Sequence, residues 1–265
     1  MSFDYRTIQN TPLWENIRDD IEKGKIFLSP RIKSDRITIY YKGKLFLQYD
    51  KNGFSINYKY FSLPKTKERI YENNLSEIYL KTNIFEKIYS EIKEKCNCYA
   101  RGEEKGVSYL YKYNYLQNNN IILLDIEYST KSESDNTSDR IDIVLYDKIN
   151  KSIQFVEAKQ YANKELDNLD VINQIERYNK NIVNSNYEHL LFYKEYIEVL
   201  NNLFNIKLPI PEKINENVSL YMFDFSAMDK NNEKFININI NIKNKYFRGN
   251  PDTITNENLK QLFTI

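Results

Sequence analysis

Two apolar runs joined by a four-residue connection constrain this chain more than any other feature. Ile141-Asp142-Ile143-Val144-Leu145-Tyr146 and Ser152-Ile153-Gln154-Phe155-Val156-Glu157-Ala158-Lys159 are each of strand length, and Lys148-Ile149-Asn150-Lys151 between them suits a tight turn. Such a pair folds as antiparallel neighbours. Side chains alternate faces along a strand, so Glu157 and Lys159 project from one face, and Asp142 is flanked by Ile141 and Ile143, which face the other way. Antiparallel strands lie about 5 Å apart, close enough for the two carboxylates to converge on one ion. Charges inside apolar strands cost folding free energy unless they are paired or bind a metal.

The pattern around this pair predicts its neighbours. Trp14 to Lys25 reads as a short amphipathic helix, with Trp14, Ile17 and Ile21 at helical spacing; residues 1–30 are otherwise mixed. Residues 36–61 read as an antiparallel meander with an Asn52-Gly53 turn. Ser62-Leu63-Pro64 marks the expected boundary between an N-terminal β-rich region, 1–64, and a larger domain, 65–265. Residues 75–95 show helical periodicity through Leu75, Ile78, Tyr79, Ile84, Ile88 and Ile92. Ile121 to Glu127 is an expected buried strand, followed by a polar loop from Ser129 to Ser138. A long helix is expected over roughly Lys164 to Asn184, a strand over Val218 to Phe225, and one more strand over Phe235 to Ile242, where Ile alternates with Asn. The fold class is therefore mixed α/β (α+β), a mixed central sheet flanked by helices.

Composition adds exclusions. Lys and Arg number 38 and Asp and Glu 37, so net charge gives no support for a nucleic-acid partner, which would depend on where positive charge sits. The 23 tyrosines follow an Asn, Ile, Lys and Tyr excess that resembles codon bias. The two cysteines, Cys96 and Cys98, are too close in sequence for an ordinary disulfide and too few for a zinc or iron–sulfur site; a reduced, cytoplasmic setting is the expectation. With one histidine, His189, an intrinsic metal site must consist of carboxylates, which favours Mg²⁺ or Mn²⁺. His189 itself reads as a solvated or partly packed residue. No run reaches transmembrane length and no secretory signal is visible, so no membrane partner is expected. There is no Gly-rich loop ending in Gly-Lys-Ser/Thr, hence no motor of its own.

The Asp142, Glu157 and Lys159 arrangement resembles the PD-(D/E)xK nuclease superfamily, through Arg140-Ile141-Asp142-Ile143-Val144-Leu145, a short turn, and Phe155-Val156-Glu157-Ala158-Lys159. Gln174 and Tyr178, four apart on the following helix, resemble the Gln-x-x-x-Tyr motif of the RecB-like branch. The resemblance covers roughly residues 75–225. It implies a restriction-endonuclease-like core with an N-terminal β-rich extension, and Mg²⁺- or Mn²⁺-dependent hydrolysis of phosphodiester bonds. In that reading Asp142 and Glu157 hold the metal and Lys159 orients water or stabilises the transition state. Gln174 and Tyr178 contact the nucleic-acid backbone, and Glu127 is an additional metal ligand, on a face shared with Asp125. DNA is favoured over RNA, and bacterial antiviral defence or repair is the role by family analogy. Members of the superfamily also use a Glu from the first helix, where Glu77, Glu86 and Glu91 all qualify. Asp139 ranks below Asp142 because it precedes the apolar run. Lys164, Arg177 and Lys180 are candidates for phosphate contacts. The cysteines of the iron–sulfur members are missing. An RNase with the same site, and a non-catalytic nuclease-fold scaffold subunit, stand as alternatives. A homodimer or a partner protein in a multi-subunit system is compatible with either.

Overall fold

The computed structural model describes residues 3–57, 60, 69–71, 85–129, 140–168 and 170–263. The chain divides into two compact units, Met1–Lys112 with Glu198–Lys207, and Tyr113–Ile197 with Leu208–Ile265. The division thus falls between Lys112 and Tyr113. The boundary expected at Ser62-Leu63-Pro64 lies outside the described residues.

The first unit is built on a sheet of five antiparallel strands in sequence order, β1 (Ile26–Arg31), β2 (Arg36–Tyr41), β3 (Lys44–Asp50), β4 (Gly53–Asn57) and β5 (Arg69–Tyr71). The turn between β2 and β3 explains one glycine. Lys42 and Gly43 both take positive φ, 49° and 82°, the signature of a two-residue hairpin loop whose twist matches the strands. A Cβ on Gly43 would lie 2.0 Å from the Glu104 carbonyl oxygen. The strand β1 lies in the stretch 1–30 whose pattern is mixed in the sequence. Pro30 obscures it, and an edge strand is where a sheet tolerates proline.

Helix α1 (Trp14–Glu22) forms as expected and buries Trp14, Ile17 and Ile21. Helix α2 (Phe85–Tyr99) is followed by the short α3 (Gly102–Ser108). Leu75, Ile78, Tyr79 and Ile84 lie outside the described residues. The resemblance makes α2 the first helix of the nuclease-like core; the structure groups it with the first unit. Its buried stripe is Tyr89, Ile92 and Cys96, and Tyr89 meets Phe46 of β3 edge-on at 5.4 Å.

The second unit holds a mixed sheet flanked by helices. Strands β6 (Ile121–Ser129), β7 (Arg140–Asp147) and β8 (Ser152–Gln160) form the expected antiparallel meander. The two-residue β9 (Lys213–Ile214) pairs with the start of β8. Then β10 (Ser219–Phe223) and β11 (Lys245–Arg248) extend the sheet in parallel, giving the order β11-β10-β8-β7-β6. A central strand is buried on both faces, and β8 is buried from Ser152 to Lys159.

The expected helix over Lys164 to Asn184 is interrupted. Asn163 caps a separate 3₁₀ turn, Lys164–Leu166, and α4 begins only at Asp170 and runs to Asn184; Leu169 lies outside the described residues. Helix α5 (Asn186–Phe204) follows at once. Its periodicity was hard to read because buried Tyr193, Tyr196, Ile197 and Leu200 share it with exposed Tyr187 and Leu191. From Glu198 its residues group with the first unit.

The strand expected over Phe235 to Ile242 is instead helix α6 (Glu233–Asn241). Asn232 caps it by accepting the Lys234 N–H at 3.1 Å. Phe235, Ile238 and Ile242 are buried at helical spacing, while Ile236 is 45% and Ile240 71% exposed. The Ile/Asn alternation is a composition effect that imitates period two. A short α7 (Asn256–Leu259) closes the unit. Among the described residues no helix is long and apolar enough to cross a membrane.

Candidate functional site

The β7–β8 ladder supplies the frame. It runs from Asp147 opposite Ser152 to Ile143 opposite Val156 and stops there. One more step in that register puts Asp142 level with Glu157. The Asp142 carboxylate occupies the place of the next ladder bond: its Oδ2 accepts the Ala158 N–H at 2.9 Å. Asp142 therefore sits against the backbone of the Glu157-Ala158-Lys159 segment, half-buried.

Glu157 is 1% exposed and Lys159 5%. Both lie on one face of β8, two residues apart, and the Lys159 Nζ approaches Glu157 Oε1 at 2.8 Å. The same ammonium reaches Glu165 Oε2 at 2.7 Å, and that carboxylate is half-exposed. Glu165 is absent from the sequence reading. It sits on the 3₁₀ turn, brought back toward β8 because Asn163 accepts the Glu165 N–H at 2.8 Å. The only hint in the sequence is an acid six residues beyond the lysine, after an Asn able to cap.

Asp142, Glu157 and Glu165 bring three carboxylates to this end of the sheet, with the Lys159 ammonium paired to Glu157 and Glu165. Every donor among the carboxylates is a hard oxygen, which suits Mg²⁺ or Mn²⁺. Among the described residues, no three Asp, Glu, His or Cys side chains already converge as a metal cage. Mg²⁺ is commonly held by only one or two carboxylates together with waters and substrate phosphates, so Asp142 and Glu157 fit it as a pair.

Glu127 lies between Ile126, opposite Ile143, and Tyr128, opposite Ile141, so it is level with Asp142 on the next strand. Its φ of 52° puts a non-glycine residue in the left-handed region within a strand, at a cost on the order of 1 kcal/mol. It forms a loose pair with Arg140 at 3.8 Å. Asp125, expected to share its surroundings, is instead fully buried, and its Oδ1 accepts the Ile126 N–H at 2.8 Å. The register shift between Leu123 and Asp125 and the left-handed Glu127 break the alternation that the expectation assumed. Asp139 and Glu77 lie outside the described residues, as does the side chain of Glu86. Glu91 is exposed on α2, in the first unit.

Gln174 and Tyr178 do meet. The Gln174 Nε2 donates to the Tyr178 hydroxyl at 2.9 Å, and that hydroxyl donates to the Arg140 carbonyl at 2.8 Å. Tyr178 is 1% exposed, so its hydroxyl braces the start of β7, two residues before Asp142. Lys164, Arg177 and Lys180 are exposed.

His189 corrects the sequence reading: it is buried, with Nδ1 2.7 Å from the Tyr128 hydroxyl, and its ring meets Tyr128 and Phe155 edge-on. Burial pushes the Tyr128 hydroxyl pKa up, and the charges of Asp125 and Glu188 push the same way, so it stays protonated. An aromatic layer runs from Tyr128 of β6 through Phe155 of β8 to Tyr193 of α5.

No family model, curated protein or solved structure matches this chain.

Proposed function

We propose that this chain is a divalent-metal-dependent nuclease with a restriction-endonuclease-like second unit, hydrolysing phosphodiester bonds, DNA foremost. One observation carries the reading: Asp142 and Glu157 stand level on adjacent strands, with the buried Lys159 ammonium beside them on the Glu157 face. The strand–turn–strand context of the resemblance is present, and so is the parallel strand β10 beyond the intervening helices.

Asp142 and Glu157 would hold Mg²⁺ or Mn²⁺, which supplies Lewis-acid polarisation of a phosphate and a more acidic bound water. Lys159 presents an ammonium that, in a largely water-excluded position, stabilises negative charge developing on a phosphoryl oxygen. The Ala158 N–H fixes the Asp142 carboxylate against β8. Tyr178 and Gln174 hold β7 through the Arg140 carbonyl, and so keep Asp142 in register with Glu157. Glu127 is the nearest further acid by register and completes the proposed ligand set. A role in bacterial defence or repair belongs to this reading by analogy alone.

A second reading has an observation of its own. Glu157 and Glu165 both pair with Lys159, and Asp142 bonds to backbone, so the same network also suits a structural cluster in a scaffold subunit.

One experiment separates the two. Supercoiled plasmid, linear duplex and single-stranded DNA are incubated with Mn²⁺ and wild type, Lys159→Ala or Asp142→Asn. Asn retains an oxygen that accepts the Ala158 N–H, so this variant keeps the fold while losing the charge. Cutting by wild type alone supports the nuclease. Absence of cutting together with absence of Mn²⁺-induced thermal stabilisation overturns it in favour of the scaffold.

A further inference from the structure

We propose that Glu165 is a positioning residue that keeps the Lys159 ammonium at the site when Glu157 turns to a metal ion; the inference rests on the nuclease reading above. Glu157 and Glu165 both pair with Lys159, at 2.8 Å and 2.7 Å, and they differ in kind. Glu157 is fixed in β8 and belongs to the proposed ligand pair. Glu165 stands outside the strand and outside that pair. A carboxylate that coordinates a dication gives up much of its attraction for a neighbouring ammonium, and the dication repels that ammonium. With Glu157 as its sole anchor, the flexible lysine stem would swing away when the site is loaded. Glu165 supplies a second anchor that the metal does not claim.

The turn bearing Glu165 is itself held. Lys234, from the first turn of α6, donates to the Tyr161 carbonyl at 2.6 Å and the Asn163 carbonyl at 3.4 Å. Its Nζ also pairs with Asp167 at 2.7 Å and lies 4.6 Å from the centroid of the Tyr161 ring. The Tyr161 N–H donates to the Phe223 carbonyl at 2.8 Å, where β10 ends. The segment from Tyr161 to Asp167 is thus fastened at several points around Glu165, and Asn163 fixes the backbone N–H of Glu165. A surface acid pairing by chance needs no such fastening. Precise placement of a catalytic group requires that its supporting shell be rigid.

The test compares wild type with Glu165→Gln and Glu165→Asp, with Lys234→Met as a variant that loosens the turn without touching Lys159. The first readout needs neither metal nor activity. Metal-free protein is treated with an amine-acylating reagent, and the rate of modification at Lys159 is followed by peptide mass mapping against the other lysines. Glu165→Gln and Lys234→Met are expected to raise the Lys159 rate by about two- to fivefold, the scale of one partly exposed ion pair; Glu165→Asp leaves it near wild type. Equal rates in wild type and Glu165→Gln, with unfolding temperatures also equal, would overturn the clamp. The second readout is cleavage with Mn²⁺: kcat falls by about 10- to 100-fold in Glu165→Gln with KM unchanged, and Glu165→Asp recovers most of it. Loss in KM alone assigns Glu165 to substrate binding and overturns the positioning role. If wild type cuts no substrate and gains no thermal stability from Mn²⁺ while the labelling rates rise as stated, the nuclease reading has failed and the clamp stands as a structural one; that outcome also overturns the catalytic placement.

Discussion

Lys159 concentrates the chemistry of this chain in one side chain. A lysine that is 5% exposed keeps its charge only because carboxylates meet it, and Glu157, at 1%, depends on the ammonium in return. Removing one member of a buried ion pair leaves the other charge desolvated, which costs about 3–5 kcal/mol, whereas replacing both members with shape-matched neutral residues costs little. Lys159→Met is therefore expected to destabilise the metal-free protein by about that amount, and Glu157→Gln combined with Lys159→Met to recover most of the loss. Urea unfolding of the two single variants and the double variant at neutral pH measures the coupling. A Lys159→Met cost below about 1 kcal/mol, the size of a surface pair, would show that water reaches the pair. The same cycle with Mn²⁺ present tests the metal. If the ion replaces lysine as the partner of Glu157, Lys159→Met loses less stability with Mn²⁺ than without it.

At the scale of elements, α4 braces the start of β7 where its ladder to β8 has ended. The ladder to β8 ends at Ile143; beyond it β7 stays paired with β6 out to Arg140, and it is further held by the Asp142 carboxylate on the Ala158 N–H and by the Tyr178 hydroxyl on the Arg140 carbonyl. Tyr178→Phe removes that bond without changing the ring. It is expected to cost about 1–3 kcal/mol in thermal unfolding without any nucleic acid, because the Arg140 carbonyl and the Gln174 amide both lose their partner. Unchanged unfolding with weakened DNA binding would instead assign Tyr178 to the nucleic acid. The strands that frame this brace were legible in the sequence because two buried faces force apolar runs and because a four-residue link leaves one topology for β7 and β8. The placement of Asp142, Glu157 and Lys159 followed from alternation alone. Where the backbone departs from a period, legibility ends. Glu127 takes a left-handed conformation, which separates it from Asp125. Asn163 stops the path into α4 and returns Glu165 to Lys159. Helix α6 carries the alternation of a strand, but its capping Asn232 and its buried Phe235, Ile238 and Ile242 follow the helix. A three-residue turn and a lone capping side chain leave too little periodicity to be read. Contacts such as His189 to Tyr128 join residues 61 positions apart, which no local pattern reports.

Across the whole molecule, the tyrosines that composition dismissed as codon bias form much of the interior. Tyr60 and Tyr89 lie buried in the first unit, and Tyr128, Tyr146 and Tyr221 in the second. Burial is the leading cause that raises the hydroxyl pKa of each above its ordinary value of 10.0. The Tyr146 hydroxyl also donates to the Pro209 carbonyl at 2.7 Å, a bond available only to the protonated form. In the unfolded chain these hydroxyls ionise near the ordinary value; in the folded chain they hold their protons higher. Between those two limits the folded state binds more protons than the unfolded state, so stability falls as pH rises. The contribution is fully present below pH 10 and is lost as pH climbs through the folded values. With buried tyrosines in both units, the loss is expected to involve several protons and to reach each unit. Urea unfolding followed by circular dichroism should give a midpoint unaffected by tyrosine ionisation from neutral pH to about 9 and dropping steeply above 10. Tyrosinate absorbance should rise in two stages, exposed rings first and the buried set only together with unfolding. Complete ionisation of all tyrosines while the circular dichroism remains native would show that water reaches these hydroxyls and that the aromatic interior is looser than the packed rings around Phe155 imply. Tyr128→Phe provides the local check: it removes one titrating group and should reduce the proton count of the alkaline transition by about one at most.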